Sequence, residues 1–238
     1  MSITTVVSTG LLSCGFSKYV AVVQRSITFP PIKIVRIDEY ITYVAKNRAT
    51  VVELKEKIDI GRGRGDITRF LERIGVVEAR NYVTLTELGR ELVSTREAIG
   101  NAVYHALFYQ RVPQYRLLME AARRGAATQD QLHQAVNRRL SELSPTAWLN
   151  KVAFKTLLQM AEDLEAVGKR DGRYIYLNDP VERAVERHYA AHGVKIGDSF
   201  YATFDKILVL DCGRQELPHG LYKIDVACTT SKIYHRFQ

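Results

Sequence analysis

Hydrophobic and polar residues follow one another in a pattern that occurs twice along this chain. Both copies begin with a capping box, in which a threonine hydroxyl accepts a hydrogen bond from a backbone amide and the residue three positions later reaches back. The boxes pair Thr50 with Glu53 and Thr128 with Gln131. A second helix follows each box, and then two short apolar runs flank a basic turn, which is typical of a β-hairpin. The sequence therefore predicts two helix–helix–hairpin units.

The helix before the first hairpin has one apolar face and one basic face. Its apolar residues recur at positions i, i+3, i+4 and i+7, so they share one side of a helix: Ile67, Phe70, Leu71 and Ile74. Arg69 and Arg73 fall on the opposite side together with Asp66. A recognition helix needs this combination of an apolar stripe toward its own domain and exposed long donors. A solvated surface helix that happens to carry arginines is the alternative.

A glycine-rich basic segment precedes that helix, at residues 59–66. Its Gly-x-Gly-x-Gly order lacks the Lys-Ser/Thr ending and the preceding strand of a nucleotide-binding phosphate loop. We therefore predict a turn between helices, in which Arg62 and Arg64 suit contacts with phosphates.

The last helix of the second copy is predicted to be longer and less basic. Ser144 and Pro145 form a strong helix start, as the cap and the first helical residue, and the helix could extend to Leu164. Its predicted apolar face contains Leu149, Val152, Leu157, Ala161 and Leu164. Its other face carries Asn150, Lys151, Phe154 and Gln159. An exposed Phe154 or Trp148 would equally indicate a contact with another protein.

Between and before the two copies the pattern changes. Residues 1–35 alternate short apolar runs with turn residues, which predicts one or two strands, and the diproline at residues 30–31 then stops them. A helix at residues 86–92 would close the first unit. Another at 99–109 would bridge the units, with Tyr104, Leu107 and Phe108 on its apolar face.

Beyond the second copy, a helix at residues 181–191 gives way to β-character. Residues 206–210 form a continuous apolar strand candidate, and residues 222–228 alternate as a half-buried strand would. A hairpin of this size is marginal alone, so we expect it to pair with the N-terminal strands or with another subunit.

The charge of the chain narrows the classes of partner. The formal net charge is +8 over 238 residues and the pI is about 9.4, a balance that favours polyanionic partners. No apolar run reaches the ~18 residues of a membrane helix, so no membrane partner is predicted. Three cysteines imply no disulfide framework, and a reducing, cytoplasmic location follows.

Enzymatic chemistry finds little support in the sequence. Five acidic residues in the C-terminal segment are candidate metal ligands of a nuclease: Asp198, Asp205, Asp211, Glu216 and Asp225. That segment lacks the acid-x-Lys order of restriction-type sites and is short for a nuclease core. Two cysteines and two histidines could in principle bind zinc, but their spacing along the sequence is too long for a structural zinc site: Cys212, His219, Cys228 and His235. We predict no catalytic residue, no metal and no cofactor.

The helix–helix–hairpin order with basic hairpin tips resembles the winged-helix DNA-binding proteins, a helix-turn-helix variant. The resemblance covers residues 36–178 and rests on caps, helical phase and hairpins. It implies a mainly α chain with small β-hairpins (α+β). The implied domains are a tail (1–35), two winged-helix domains (36–110 and 111–179) and a helix plus β-hairpin segment (180–238).

The resemblance also implies a binding mode. The third helix of each domain enters the major groove and the hairpin contacts the backbone beside it. Arg69 and Arg73 would then face base edges and Arg62 and Arg64 phosphates. Further contacts would come from Lys151 and from the hairpins: Arg80, Lys169, Arg170 and Arg173.

The predicted function is double-stranded DNA binding, sequence-specific or structure-specific, by a transcription regulator or a replication accessory protein. A homodimer is a further partner that the sequence leaves open. The competing class is a protein-interaction scaffold that uses the two units as docking modules. A metal-dependent nuclease is the weaker alternative.

Overall fold

The computed structural model describes residues 33–58, 67–208 and 215–238. It is mainly helical with small antiparallel β-structures, which confirms the predicted α+β class. The first unit consists of α1 (Ile34–Lys46), α2 (Val51–Lys57), α3 (Ile67–Arg73), β1 (Val77–Ala79) and β2 (Val83–Leu85). Two helices follow it, α4 (Glu87–Ile99) and α5 (Ala102–Arg111).

The second unit repeats the element order of the first. It consists of α6 (Pro113–Arg123), α7 (Gln129–Leu143), α8 (Lys151–Asp163), β3 (Val167–Arg170) and β4 (Arg173–Tyr176). The remaining elements are α9 (Pro180–His192), β5 (Val194–Ile196), β6 (Ser199–Thr203), β7 (Gln215–Leu217), β8 (Leu221–Ile224) and α10 (Val226–Arg236).

The two units also share long-range backbone pairing. The residue before each capping threonine forms an isolated antiparallel bridge to the returning strand of the hairpin, Ala49 to Val83 and Ala127 to Tyr174. Both capping boxes are present as predicted. Each unit is therefore three helices closed by a hairpin that pairs back onto the segment between the first two helices.

The centre of the molecule is α5, which lies between the units. Every residue from Ala102 to Phe108 is buried, including Tyr104, Leu107 and Phe108, as their predicted place on an apolar stripe requires. This helix packs against α4, α6, α9 and α10. Buried apolar side chains of both units and of the central helices form one cluster.

The start of α8 differs from the prediction. Ser144 ends α7 instead of capping the next helix, and α8 begins only at Lys151, after a loop. The side chain of Asn150 is the cap, since it accepts a hydrogen bond from the Ala153 amide at 2.8 Å. The predicted start at Ser144 is therefore wrong, whereas α8 ends at Asp163 with Leu164 as its C-cap, as predicted to within one residue, and has 13 residues.

The C-terminal segment also folds differently from the prediction. Strands β5, β6, β8 and β7 lie in that order in one antiparallel sheet. Residues 204–206 form a 3-10 turn and residues 207–208 are not strand, while Val209 and Leu210 lie outside the described residues. The predicted strand at 222–228 ends at Ile224, because Asp225 caps α10 by accepting from the Cys228 amide at 2.9 Å.

Near the N-terminus, Ile34 and Val35 begin α1 instead of ending a strand. The strands predicted before them fall on residues 1–32, outside the described residues. Cys228 is disulfide-bonded, whereas the cysteine count gave no reason to expect a disulfide.

Candidate nucleic-acid interface

In the first unit, α3 has the two faces that the sequence predicts. Its four predicted stripe residues are buried, and Arg69 and Arg73 are exposed. The hydroxyl groups of Tyr40 and Thr68 hydrogen bond at 2.6 Å, which fixes α3 against α1. The apolar stripe and this bond together turn both arginines outward. Asp66, Arg62 and Arg64 lie outside the described residues.

The first hairpin presents a second basic position beside α3. The side chain of Arg80 is 86% exposed and lies 3.5 Å from the Glu78 carboxylate, a surface pair that contributes little to stability. The guanidinium of Arg48 lies over the ring of Tyr82, 4.0 Å from its centroid. Glu72 accepts a hydrogen bond from the Ala79 amide at 3.3 Å, which links α3 to the hairpin.

In the second unit, α8 has the predicted faces except at two positions. Four of the five predicted apolar residues are buried, and three of the four predicted outer residues are exposed: Leu149, Leu157, Ala161 and Leu164, and Asn150, Lys151 and Gln159. Phe154 is fully buried and packs against His133, with ring centroids 5.0 Å apart. Val152, predicted as apolar core, is 73% exposed. The exposed face carries Lys151, Val152, Lys155 and Gln159. Lys151 lies 3.2 Å from Asp130, and both side chains are more than two-thirds exposed.

The second hairpin carries the densest group of exposed cations in either unit: Lys169, Arg170 and Arg173. Asp171 and Gly172 both have positive φ, at 50° and 74°, as a two-residue type I′ turn requires. This turn places Arg170 directly opposite Arg173. Like charges in that position repel, and the Asp171 carboxylate lies 3.9 Å from the Nε atom of Arg170 at the same tip.

The second hairpin is tied at its base to α6 of the same unit. Arg123 donates a hydrogen bond to the Tyr176 hydroxyl at 2.9 Å. Burial raises the pKa of Tyr176. Burial also raises the pKa of Glu162, against the lowering effect of nearby Lys169. These contacts fix the hairpin while its tip stays exposed.

Three residues that add a basic or aromatic side chain to these surfaces were not among the nucleic-acid contacts predicted from the sequence. Arg48 joins the first hairpin because the Ala49 bridge brings the α1–α2 loop to it. Lys155 was not named, although it lies four residues from both Lys151 and Gln159 and so belongs to the outer face that the sequence predicts. Trp148, noted only as a protein contact, is 66% exposed just before α8.

The C-terminal acids do not form a metal-binding group in the part of the chain that the structure describes. Asp205 accepts a hydrogen bond from the Thr203 hydroxyl at 2.6 Å, which lowers its pKa. Asp225 caps α10. Asp211 lies outside the described residues, as does the side chain of Glu216.

Across residues 33–58, 67–208 and 215–238, no helix combines the length and the apolar character needed to cross a membrane. Comparison with protein-family models, curated proteins and solved structures finds no match for this chain.

Proposed function

We propose that this protein binds double-stranded DNA through its two helix–hairpin units, as a transcription regulator or a replication accessory protein. The observation that carries the proposal is that both units expose cations on the third helix and on the hairpin next to it. They are Arg69, Arg73 and Arg80 in the first unit and Lys151, Lys155, Lys169, Arg170 and Arg173 in the second.

The chemistry of these side chains fits a duplex. Arginine and lysine neutralise phosphates and release counterions, which supplies most of the non-specific affinity for DNA. The α3 arginines lie beside the hairpin, so the helix could read base edges while Arg80 contacts the backbone. A groove-reading helix also favours B-form DNA, because the major groove of A-form RNA is too narrow for side chains to read.

A protein-docking scaffold is the second candidate, and one observation favours it. The surface around the start of α8 exposes three large apolar side chains, Leu143, Trp148 and Val152. Exposed apolar patches often mark contacts with other proteins. The abundance of cations on the neighbouring hairpin makes DNA the better-supported partner for the unit as a whole. We assign no catalytic step to either surface.

The proposal is tested by fluorescence anisotropy with a labelled random-sequence duplex at low salt. We expect the purified protein to bind, and Arg69→Ala with Arg73→Ala to weaken binding at least tenfold, or about 1.4 kcal/mol. The matched control is Arg187→Ala with Lys223→Ala, which removes two exposed cations from outside both units and should leave affinity within about twofold, or 0.4 kcal/mol. An absence of binding at low salt, or equal losses in both variants, would reject the proposal in favour of the scaffold.

A further inference from the structure

The exposed indole of Trp148 is held by an ordered backbone. Its two sequence neighbours, Ala147 and Leu149, are buried. The Leu149 amide donates to the Asn137 side-chain oxygen at 2.8 Å, and the Asn137 amide nitrogen donates to the Leu149 carbonyl at 3.1 Å. That carbonyl also lies 2.7 Å from the Nε2 atom of His133. These hydrogen bonds hold the loop that carries Trp148 against α7.

This anchoring matters because an exposed tryptophan contributes little to its own fold. A buried tryptophan side chain would remove a large apolar area from water. The side chain of Trp148 stays exposed and does not contribute this stabilisation, although the residues on both sides of it are buried. Because the backbone next to Trp148 is already held, binding would cost mainly the rotational freedom of its side chain, which suits a preorganised contact.

The surroundings of the ring indicate the chemistry of its ligand. Lys151 and Lys155 are exposed on α8 a short distance along the chain, and Val152 lies between them. The second hairpin of the same unit adds three exposed cations. An aromatic side chain close to lysines, in a unit that carries further cations, is the combination that binds unpaired nucleotides, since bases stack on the ring and phosphates contact the cations.

We propose that Trp148 stacks on an unpaired nucleobase next to a duplex held by the second unit. Within an intact duplex each base face is covered by its neighbours, so a side chain reaches one only where bases are unpaired or unstacked. The inference rests on the proposed DNA binding and specifies its substrate: a junction between paired and unpaired DNA is preferred over a continuous duplex.

The composition of the chain gives this proposal a direct readout, because Trp148 is its single tryptophan. We would titrate the full chain with two duplexes of the same paired sequence, one blunt and one with a single-stranded overhang, and follow tryptophan emission. We expect the overhang to quench the emission and the blunt duplex to leave it nearly unchanged. Anisotropy of the same labelled DNAs should show the overhang bound about tenfold more tightly.

Two variants of Trp148 sharpen the test. Trp148→Ala should remove the preference for the overhang and keep the affinity for the blunt duplex. Trp148→Phe, which retains a smaller aromatic face, should keep part of the preference. The matched control is Phe204→Ala, which removes an aromatic side chain that is 62% exposed outside both units, and the preference should then be unchanged.

The outcomes separate this inference from the proposed function. Equal affinity for both DNAs with unquenched emission overturns the junction preference while DNA binding stands. A preference that survives in Trp148→Ala also overturns it and leaves the ring as a protein-docking residue. Failure to bind either DNA at low salt rejects the proposed function itself, and the inference with it.

Discussion

The first unit turns arginines outward on the seven-residue α3, whereas the second turns lysines and a valine outward on the thirteen-residue α8, with a tryptophan just before it. Their backbones nevertheless follow one plan, with the same bridge from the capped segment to the hairpin. The comparison indicates that this shared backbone bridge sets the relative positions of helix and hairpin in both units. The exposed side chains take no part in the bridge and differ between the units, so each unit can contact a different feature of one ligand.

The ends of the third helices show how the same plan is reached with different residues. A residue with positive φ follows each helix: Gly75 at 84° and Glu165 at 55°. Glycine adopts this conformation without strain, whereas glutamate does so at a cost. Glu165 is also tied to α9, because Arg183 donates to its carbonyl at 2.7 Å. The second unit thus uses a tertiary contact where the first uses glycine.

The largest expected effect comes from the close approach of α4 to the first hairpin. A Cβ atom at Gly89 would stand 2.2 Å from the Val76 carbonyl oxygen, so the helix or the strand must move. We expect Gly89→Ala to lower the free energy of unfolding by about 3 kcal/mol. Glu182 lies at the corresponding first turn of α9 and is exposed. Urea denaturation should show Glu182→Ala within about 0.5 kcal/mol of the unchanged protein.

Equal losses in these two variants would contradict the view that α4 packs more closely on its hairpin than α9 does. A Gly89→Ala protein of unchanged stability would contradict the packing itself.

The joint between the units should respond to acid. His105 lies buried on α5, with its Nδ1 atom 2.8 Å from the Tyr115 hydroxyl. Burial lowers the pKa of His105 to about 4, assisted by Arg123 and Arg183 and opposed by Asp179. The unfolded chain has the ordinary histidine pKa of about 6.5 and binds the proton first. The neutral ring therefore contributes its full stabilisation of the folded state above about pH 6.5, and this contribution is lost as the pH falls toward 4.

We expect the free energy of unfolding to fall by about 2 kcal/mol from this histidine between pH 7 and pH 4.5. The control is the double variant His105→Phe with Tyr115→Phe, which removes both partners of the bond and so leaves neither unpaired. Its stability should lose that part of the pH dependence. Identical pH profiles for the two proteins would show that His105 is not the group that titrates.

The smallest effect concerns the hairpin tips. Arg48 lies 4.0 Å from the Tyr82 ring centroid in the first unit, whereas Lys169 lies 5.7 Å from the Tyr174 centroid in the second. A double-mutant cycle with alanine should give a coupling of about 0.5 kcal/mol for Arg48 and Tyr82. The coupling of Lys169 and Tyr174 should be smaller. The reverse order would show that ring distance does not govern the coupling of these cation–ring pairs.

Local hydrogen bonds explain what could be predicted from the sequence. The capping boxes of Thr50 and Thr128 depend on residues three positions apart, and the stripe of α3 depends on helical phase alone. The turn that presents Arg170 and Arg173 follows from an Asp-Gly pair. These features need no partner from elsewhere in the chain, so the pattern of residues contains them.

The errors arose where distant contacts decide the structure. Ser144 and Pro145 have the local chemistry of a helix start, but Asn137 binds the backbone of Leu149 and holds this loop outside any helix until Asn150 caps α8. Strand β5 was missed because it has only three residues, Val194, Lys195 and Ile196, too few for their alternation to predict a strand. Its place depends on pairing with β6.

The candidate site divides in the same way. The predicted residues within the described chain are all exposed, because charged side chains are rarely buried. The two backbone bridges to the hairpins decide which of these residues share a surface. Those bridges cannot be predicted from the spacing of residues along the sequence. Arg48 entered the site only through that tertiary arrangement, because the bridge of Ala49 brings its loop to the hairpin.

The central claim, that both units contact one DNA, is tested most directly by the salt dependence of duplex binding. We would measure the affinity of the full chain over a range of salt concentrations, together with two variants. One replaces Arg69, Arg73 and Arg80 by alanine, and the other replaces Lys169, Arg170 and Arg173. Each phosphate contact contributes about 0.9 to the log–log slope.

The account predicts a slope of about −4 or steeper for the unchanged protein, with a shallower slope in each variant. A slope near zero, or a loss confined to one variant, would contradict the claim that the two units bind DNA together.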